Sequence, residues 1–377
     1  MNVVFLSNYF NHHQSALSDA LWKQTGGSYT FLETAEMSQA RRQLGYGNDT
    51  RPYTLRVQDA PEKALRLIRE ADVVIAGSAP ECWVRHRVRC GKLLLRYSER
   101  PLRRGLEPAK YLPRLVLWHL RNPRRKPIYM LCAGIYTPGD YSRFFLFRNR
   151  MYQWGYFPET KHYPDIHSML AAKDPAEILW CGRFLPLKHP DDALAAAREL
   201  KERGYAFHLT FLGMGEMEPQ LRKLCLEWDL KDRVRFLGPQ DNRQVRKYME
   251  RVGIFLFTSD HREGWGAVLN EAMNSGCAVI ANSGAGASEV LLRHGKNGIL
   301  YSEGNRNGLC ESLRDLLEHP EKQKQLGQAA YETIRDTWNA EVAAKRVLAL
   351  SERMQKSDKK PDLFEDGPCS LAKVVYE

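Results

Sequence analysis

Three turns of this sequence carry side chains that could handle an anion and a sugar. The densest runs from Thr258 to Gly276, where Glu263 and Glu271 stand eight residues apart around Gly264, Trp265 and Gly266. Apolar residues 254–257 predict a strand entering this turn, and residues 267–275 predict the helix leaving it. Gly276 takes the place where a helix commonly ends on a left-handed residue. Backbone N–H groups around 264–267 would then open on a helix N-terminus, which favours an anion. A carboxylate can accept from two sugar hydroxyls at once, so Glu271 could hold a ribose while Glu263 lies nearer a transferred group. The plainer alternative has Glu263 capping the first helical turn and Glu271 solvated.

The second turn, 181–190, contains Gly182, Arg183 and Lys188. It leaves a strand predicted at 178–181 and enters a helix predicted at 191–203. A forked guanidinium beside a point-charge ammonium suits a diphosphate, and surface charge on a loop is the alternative. The third is Gly213-Met214-Gly215-Glu216 after a strand at 208–212. Two glycines there would admit a close ligand, although most such pairs are only tight turns.

These turns need a frame. Short, fully apolar runs alternate with amphipathic helical stretches along the chain, which indicates parallel strands covered on both faces. In the first half, strands are predicted at 3–6, 29–32, 72–76, 93–97 and 128–132, and helices at 14–22 and 61–71. Residues 34–60 and 98–126 read as irregular. In the second half, further strands fall at 234–236, 278–281 and 298–301. Helices fall at 217–229, 242–251, 287–293, 309–318, 320–337 and 341–355. The reading is α/β, with two doubly wound domains that divide between 156 and 175. A polar tail from Ser357 is expected to be mobile. Such sheets bind ligands beyond the carboxyl ends of their strands, where all three turns lie.

The chain has 377 residues and a formal charge of +11. Residues 85–126 hold fourteen Lys or Arg against Glu99 and Glu107, a local +12, so the remainder sums to −1. Apolar and aromatic residues interleave with this charge, as in 111–120. The pattern suits an anionic membrane surface. A solvated face with its leucines in the core, or nucleic acid, are the alternatives, and nucleic acid is not expected. No apolar run approaches the roughly 20 residues of a membrane span, and the N-terminus lacks a basic leader. The eight cysteines form no CxxC pair, which speaks against zinc or a disulfide framework. A cytoplasmic protein, peripheral at the inner membrane face, is the expectation.

The Glu263-x7-Glu271 pair, the Gly182-Arg183-x4-Lys188 turn and the Gly213-x-Gly215-Glu216 turn together resemble the retaining glycosyltransferases of family 4. The likeness is good over residues 176–302. It implies the GT-B fold: two Rossmann-like domains with a cleft between them and a last helix crossing back. Here that means residues 1–160 on the acceptor side, 161–340 on the nucleotide-sugar side, a crossing helix at 341–356 and the tail at 357–377. The resemblance implies Arg183 and Lys188 on the diphosphate, Glu271 on the ribose and Glu263 near the donor sugar, with Gly213, Gly215, Glu216, Gly264 and Gly266 lining the donor site. It implies no metal and no cofactor beyond a UDP- or GDP-linked sugar as co-substrate. The acceptor would be lipid-linked or a saccharide. One departure is the turn after the first strand, Ser7 to Gln14, which lacks the glycine pair of many members. Asn11 could cap the helix there. His12 and His13 would face the cleft, and His13 is a candidate for orienting an acceptor. Glu99, an acid in the basic stretch after a strand, is another, or half of an ion pair. Rival readings are another GT-B enzyme, such as a sugar-nucleotide epimerase or phosphorylase, or a non-enzymatic membrane- or nucleic-acid-binding protein on this scaffold.

Overall fold

The computed structural model describes residues 1–37, 51–356 and 361–376. Parts of the irregular stretch and of the tail, residues 38–50, 357–360 and 377, lie outside them. The chain forms two compact units. Met1–Glu159 with Thr337–Glu377 make the first, and Thr160–Asp336 the second.

The first unit holds a seven-stranded parallel sheet. Its strands are β1 (Val3–Ser7), β2 (Tyr29–Glu33), β3 (Thr54–Arg56), β4 (Val73–Ala76), β5 (Leu94–Ser98), β6 (Ile128–Ala133) and β7 (Met151–Trp154). Their order is β3-β2-β1-β4-β5-β6-β7. The second unit holds β8 (Asp174–Cys181), β9 (His208–Leu212), β10 (Val234–Phe236), β11 (Val252–Phe257), β12 (Ala278–Asn282) and β13 (Ile299–Tyr301), ordered β10-β9-β8-β11-β12-β13. The apolar runs become central strands because helices cover both faces. β1, β6 and β11 are buried along their whole length. Each sheet reverses its strand order once, between β1 and β4 and between β8 and β11. A doubly wound sheet opens its ligand crevice at that switch point.

Asn11 caps the first helix, His12–Gln24, by accepting from the His13 N–H at 2.9 Å. The long helix Ala340–Gln355 packs on that first helix within the first unit, where Gln24 Nε2 donates to the Glu341 carbonyl at 3.0 Å. It buries Ala343, Ala344, Val347 and Leu350.

Several elements depart from the expectation. The stretch read as irregular contains the helix Tyr111–Arg121, with Pro113 tolerated in its first turn. Helix Glu81–Cys90, unassigned from the sequence, turns Arg87 inward, fully buried. The guanidinium of Arg87 donates to the carbonyls of Ala71 (2.7 Å), Asp72 (2.9 Å) and Leu93 (2.9 Å), so backbone dipoles replace its water. The described tail is not a mobile strand of polar residues. Cys369 and Ser370 are buried, and the tail pairs with β7 through Gln153 N to Ser370 O (2.8 Å) and Ala372 N to Met151 O (3.0 Å).

Candidate functional site

β8 and β11 are hydrogen-bonded neighbours with Leu256 opposite Trp180, so the turns leaving them emerge side by side. Several contacts sew the two turns together. The Thr258 hydroxyl accepts from Trp180 Nε1 at 2.9 Å and donates to the Lys188 carbonyl at 2.6 Å. The Asp260 N–H donates to the Leu187 carbonyl at 3.0 Å. The Asp260 carboxylate lies 3.0 Å from His189 Nε2 and accepts from the Arg262 N–H and Nε, each at 2.8 Å. Burial alone would raise the carboxyl of Asp260, but these partners hold it well below the usual range. The same hydrogen bond raises His189. His189 itself adopts a left-handed φ of 46°, a conformation that an L side chain takes only when its surroundings impose it.

This clamp sets Lys188, whose ammonium ion-pairs with Glu263; both side chains are only 15% exposed. Glu263 does not cap the following helix: Val268–Asn274 has no side-chain cap, and the carboxylate turns back to Lys188. Arg183 is exposed, and its guanidinium bonds to no described residue. Glu271 is half-buried on the short helix. Burial pushes its carboxyl up, against the pull of Arg246. Arg246 bonds to the Glu271 carbonyl (3.1 Å) and to Asn274 (2.9 Å), and no described residue donates to the Glu271 carboxylate. The solvated alternative for Glu271 is therefore not what the structure shows.

The glycines meet a packing demand of the fold itself. A Cβ on Gly213, at φ +135°, would lie 1.8 Å from the Gly182 carbonyl oxygen, and one on Gly215 would lie 2.5 Å from the Phe184 carbonyl oxygen. What approaches these residues closely is the backbone of the Arg183 turn. The contact fixes that turn through Gly182 N to Leu212 O (3.0 Å) and Phe184 N to Met214 O (2.9 Å). Gly266, at φ +91°, leaves room for the Phe257 ring, and Gly264 is buried where Gly286 packs on its carbonyl. Glu216 is exposed.

In the first unit, the structure joins two residues that the sequence suggested separately. The His13 ring lies parallel to Tyr156, with centroids 6.3 Å apart. The Tyr156 hydroxyl donates to Glu99 at 2.7 Å, and Arg103 pairs with Glu99 at 3.3 Å. Burial, with His12 beside it, pushes His13 down to about 3, so its imidazole is neutral at neutral pH. Tyr156, Asp260 and His189 were missed as site residues. Asp260 sits inside the quoted motif, but only the fold shows that it faces the turn after β8. His189, Asp191 and Asp192 could group around a cation. The Arg306 guanidinium already bridges Asp191 and Asp192 there, at 3.0 Å from Asp191.

Residues 165–333 match the family model described as glycosyl transferases group 1. The match lies within the second unit and spans Arg183, Lys188, Glu263 and Glu271. An amylovoran biosynthesis glycosyltransferase of Erwinia amylovora, AmsK, is 29% identical over 49% of this chain and 46% of its own length. A lipopolysaccharide core biosynthesis glycosyltransferase of Rhizobium meliloti, LpsD, is 26% identical over 71% of this chain and 82% of its own. The chain thus spans about half the length of the first of these curated relatives. Among solved structures, HepE of Anabaena in complex with UDP superposes with a TM-score of 0.67 at 16% identity, covering 93% of this chain and 99% of that one. TarM of S. aureus superposes with a TM-score of 0.66 at 11% identity, covering 93% of this chain and 100% of that one. At these identities the likeness shows the fold, and that fold is GT-B.

Proposed function

We propose that this protein is a retaining, metal-independent glycosyltransferase of the family 4 type. It moves a sugar from a UDP- or GDP-linked donor to a hydroxyl of a lipid-linked or polysaccharide acceptor, in the assembly of a capsule, exopolysaccharide or lipopolysaccharide. The observation that carries this reading is one arrangement at the switch point of the second sheet. Lys188 is held against Glu263, and among the described residues none bonds to the Arg183 guanidinium and none donates to the Glu271 carboxylate. The family match over these same residues supports it, as do the names of AmsK and LpsD.

In this mechanism, Arg183 and Lys188 take the diphosphate and stabilise the charge that develops as the glycosidic bond breaks. Glu271 accepts from the ribose hydroxyls, and Glu263 lies near the donor sugar. Gly213, Gly215, Gly264 and Gly266 shape the turns that carry these groups, and Glu216 lies beside them. The acceptor hydroxyl attacks from the face that the diphosphate leaves, and the diphosphate takes its proton. The first unit serves the acceptor, with neutral His13 and the Tyr156-bound Glu99 as orienting groups.

A thermal-shift screen against UDP, GDP, ADP and CMP and their sugar conjugates tests the reading. A ligand at 100 times its Kd stabilises by about 2.7 kcal/mol. One nucleoside diphosphate should stand out, and the Arg183→Ala/Lys188→Ala double variant should lose that shift and turnover by about 100-fold or more. A double variant with near-normal turnover overturns the diphosphate assignment.

We also infer that the first unit docks on the inner face of the cytoplasmic membrane. Among the described residues, no helix is long and apolar enough to cross a membrane. Of the fourteen cations in 85–126, Arg87, Arg96 and Arg100 are engaged internally, the last two with Glu81 and Asp140, and Arg103 and Lys110 pair with Glu99 and Glu107. The others, at about 1 kcal/mol each near an anionic surface, still suffice for peripheral binding. Wild-type protein should be retained by phosphatidylglycerol-containing vesicles at low salt. Absence of retention overturns this part.

A further inference from the structure

We infer that the first unit contains a pocket for the phosphate of an anionic phospholipid, at the end of its sheet opposite the carboxyl ends of the strands. The inference rests on the membrane docking proposed above and adds to it a defined site.

The pocket is an open cavity of about 610 Å³ lined by Arg124, Phe145, Phe147, Arg148, Arg150 and Tyr376, among others. Ile128 and Met151, the first residues of β6 and β7, also line it, which places it at the amino ends of these strands. Three arginines face it and no described lining residue is acidic. Arg150 is held in the wall, donating to the carbonyls of Arg124 (3.0 Å) and Lys126 (2.9 Å). Arg148 is exposed and bonds to no described residue, so its guanidinium is available to an anion.

The loop that forms one wall has a second property. Phe145, Phe147 and Asn149 have φ values of 55°, 52° and 57°, the left-handed region that bulky residues enter only at a cost. Three consecutive carbonyls of this loop are engaged by side chains: Arg143 by the Tyr111 hydroxyl (2.9 Å), Phe144 by His119 Nε2 (2.9 Å) and Phe145 by Arg124 Nη2 (3.2 Å). The clamped loop leaves the Phe145 ring 65% exposed. Strain maintained by surrounding contacts points to function more often than strain in a free loop.

Two of the clamping residues, Tyr111 and His119, belong to the helix Tyr111–Arg121. That helix packs Tyr111, Leu115 and Trp118 inward against the core. On its outer side, Leu112, Val116 and Leu120, spaced by four, are 67%, 57% and 72% exposed. Apolar side chains at helical spacing, exposed on the outer side of a helix in a basic segment, suit the acyl boundary of a bilayer. Asn122, Pro123 and Arg124, which follow the helix directly, form the next wall of the pocket. A lipid whose chains meet the leucine stripe would bring its phosphate to Arg124 and Arg148.

The test uses the full-length protein with two equal-charge double variants, each checked by its melting temperature. Arg124→Gln/Arg148→Gln removes the pocket cations. Arg85→Gln/Arg89→Gln removes two exposed cations of the helix Glu81–Cys90. Flotation with phosphatidylcholine vesicles containing phosphatidylglycerol should show a loss at least tenfold greater for the pocket pair than for the control pair. Monomeric dihexanoyl-phosphatidylglycerol should bind wild type saturably and fail to bind the pocket variant, with inorganic phosphate a poor competitor. Equal losses in the two pairs overturn the pocket while leaving membrane docking intact. Tight binding of inorganic phosphate without lipid overturns the lipid assignment. No flotation of wild type overturns docking and pocket together. The nucleotide-induced thermal shift should be unchanged in the pocket variant.

Discussion

Glu271 shows how one side chain can be stable in the fold and still available to a ligand. Burial raises its carboxyl, because water is removed from the charged form and no described protein donor replaces it. Two ribose hydroxyls would supply the missing donors. Hydrogen bonds to a charged group contribute about 1.5–3 kcal/mol, so Glu271→Ala should weaken nucleotide binding by roughly 10- to 100-fold in calorimetry. Wild-type affinity in that variant would remove Glu271 from the ribose. The pH dependence has a definite sign. The ionised form accepts the hydroxyls, and its protonation sets in at higher pH than for an ordinary Glu. Affinity should therefore fall as the medium is acidified, and the fall should begin above pH 4.5. The residue types and the Glu263–Glu271 spacing were visible in the sequence because chemistry constrains them locally. The partner of Glu263 was not, since Lys188 lies 75 positions earlier and reaches it only through the pairing of β8 with β11.

Turns are where the sequence left the cause open and the structure supplies one. Gly213 and Gly215 were read as admitting a ligand or as a tight turn, and the atoms they admit in the fold belong to the neighbouring turn. Composition cannot distinguish the two, because both need a missing Cβ. The distinction is measurable. Gly213→Ala must push against a backbone carbonyl at an unfavourable φ, at about 3 kcal/mol or more. Gly238→Ala, also at positive φ but with nothing within 4 Å, should cost only about 1 kcal/mol. Similar losses in thermal melts would refute the packing account. The strands were legible where they were central and apolar. The exceptions are instructive: β7 is short and lies at the edge, and the helix Glu81–Cys90 directs a charged Arg87 at the core. Periodicity assumes that the inward residue is apolar, so it misplaces such a helix. The clamp at Asp260 is the other product of turn-to-turn contact. Asp260→Ala removes charge-assisted hydrogen bonds from His189 and Arg262, whose side chains are 31% and 41% exposed and can turn to water, so it should cost about 1.5–3 kcal/mol and melt roughly 5 °C lower. Asp260 is depressed, so its contribution is present above the ordinary Asp range and is lost only as pH falls through its lower folded value. His189 is raised, so its contribution is complete below about pH 6.5 and is lost as pH rises through the higher folded value. The gap between wild type and variant should therefore be wider at pH 6 than at pH 9; a constant gap would show that the ion pair does not contribute.

At the scale of the molecule, the first unit is built from both ends of the chain, whereas the second is continuous. An edge strand with free N–H and C=O groups invites pairing with another molecule. β7 ends the first sheet, and the tail covers it: Gln153 N to Ser370 O at 2.8 Å, Cys369 N to Gln153 O at 2.8 Å and Ala372 N to Met151 O at 3.0 Å. The Tyr152 hydroxyl adds a bond to the Pro361 carbonyl at 3.1 Å. The polar composition that made this segment read as mobile reflects its exposed side chains, while its backbone does the pairing. At about 1 kcal/mol per bond, removal of residues 358–377 should cost the first unit roughly 3–4 kcal/mol. The second unit makes none of these contacts. Scanning calorimetry of the truncated chain should therefore show one transition lowered by about 10 °C and one unmoved. A nucleoside diphosphate should raise only the unmoved transition, because Arg183, Lys188 and Glu271 all belong to the second unit. Truncated protein should also self-associate through the bared β7 edge, with its sedimentation coefficient rising with concentration. If both transitions fall together, the two units share stability through the tail, and its role is wider than covering an edge.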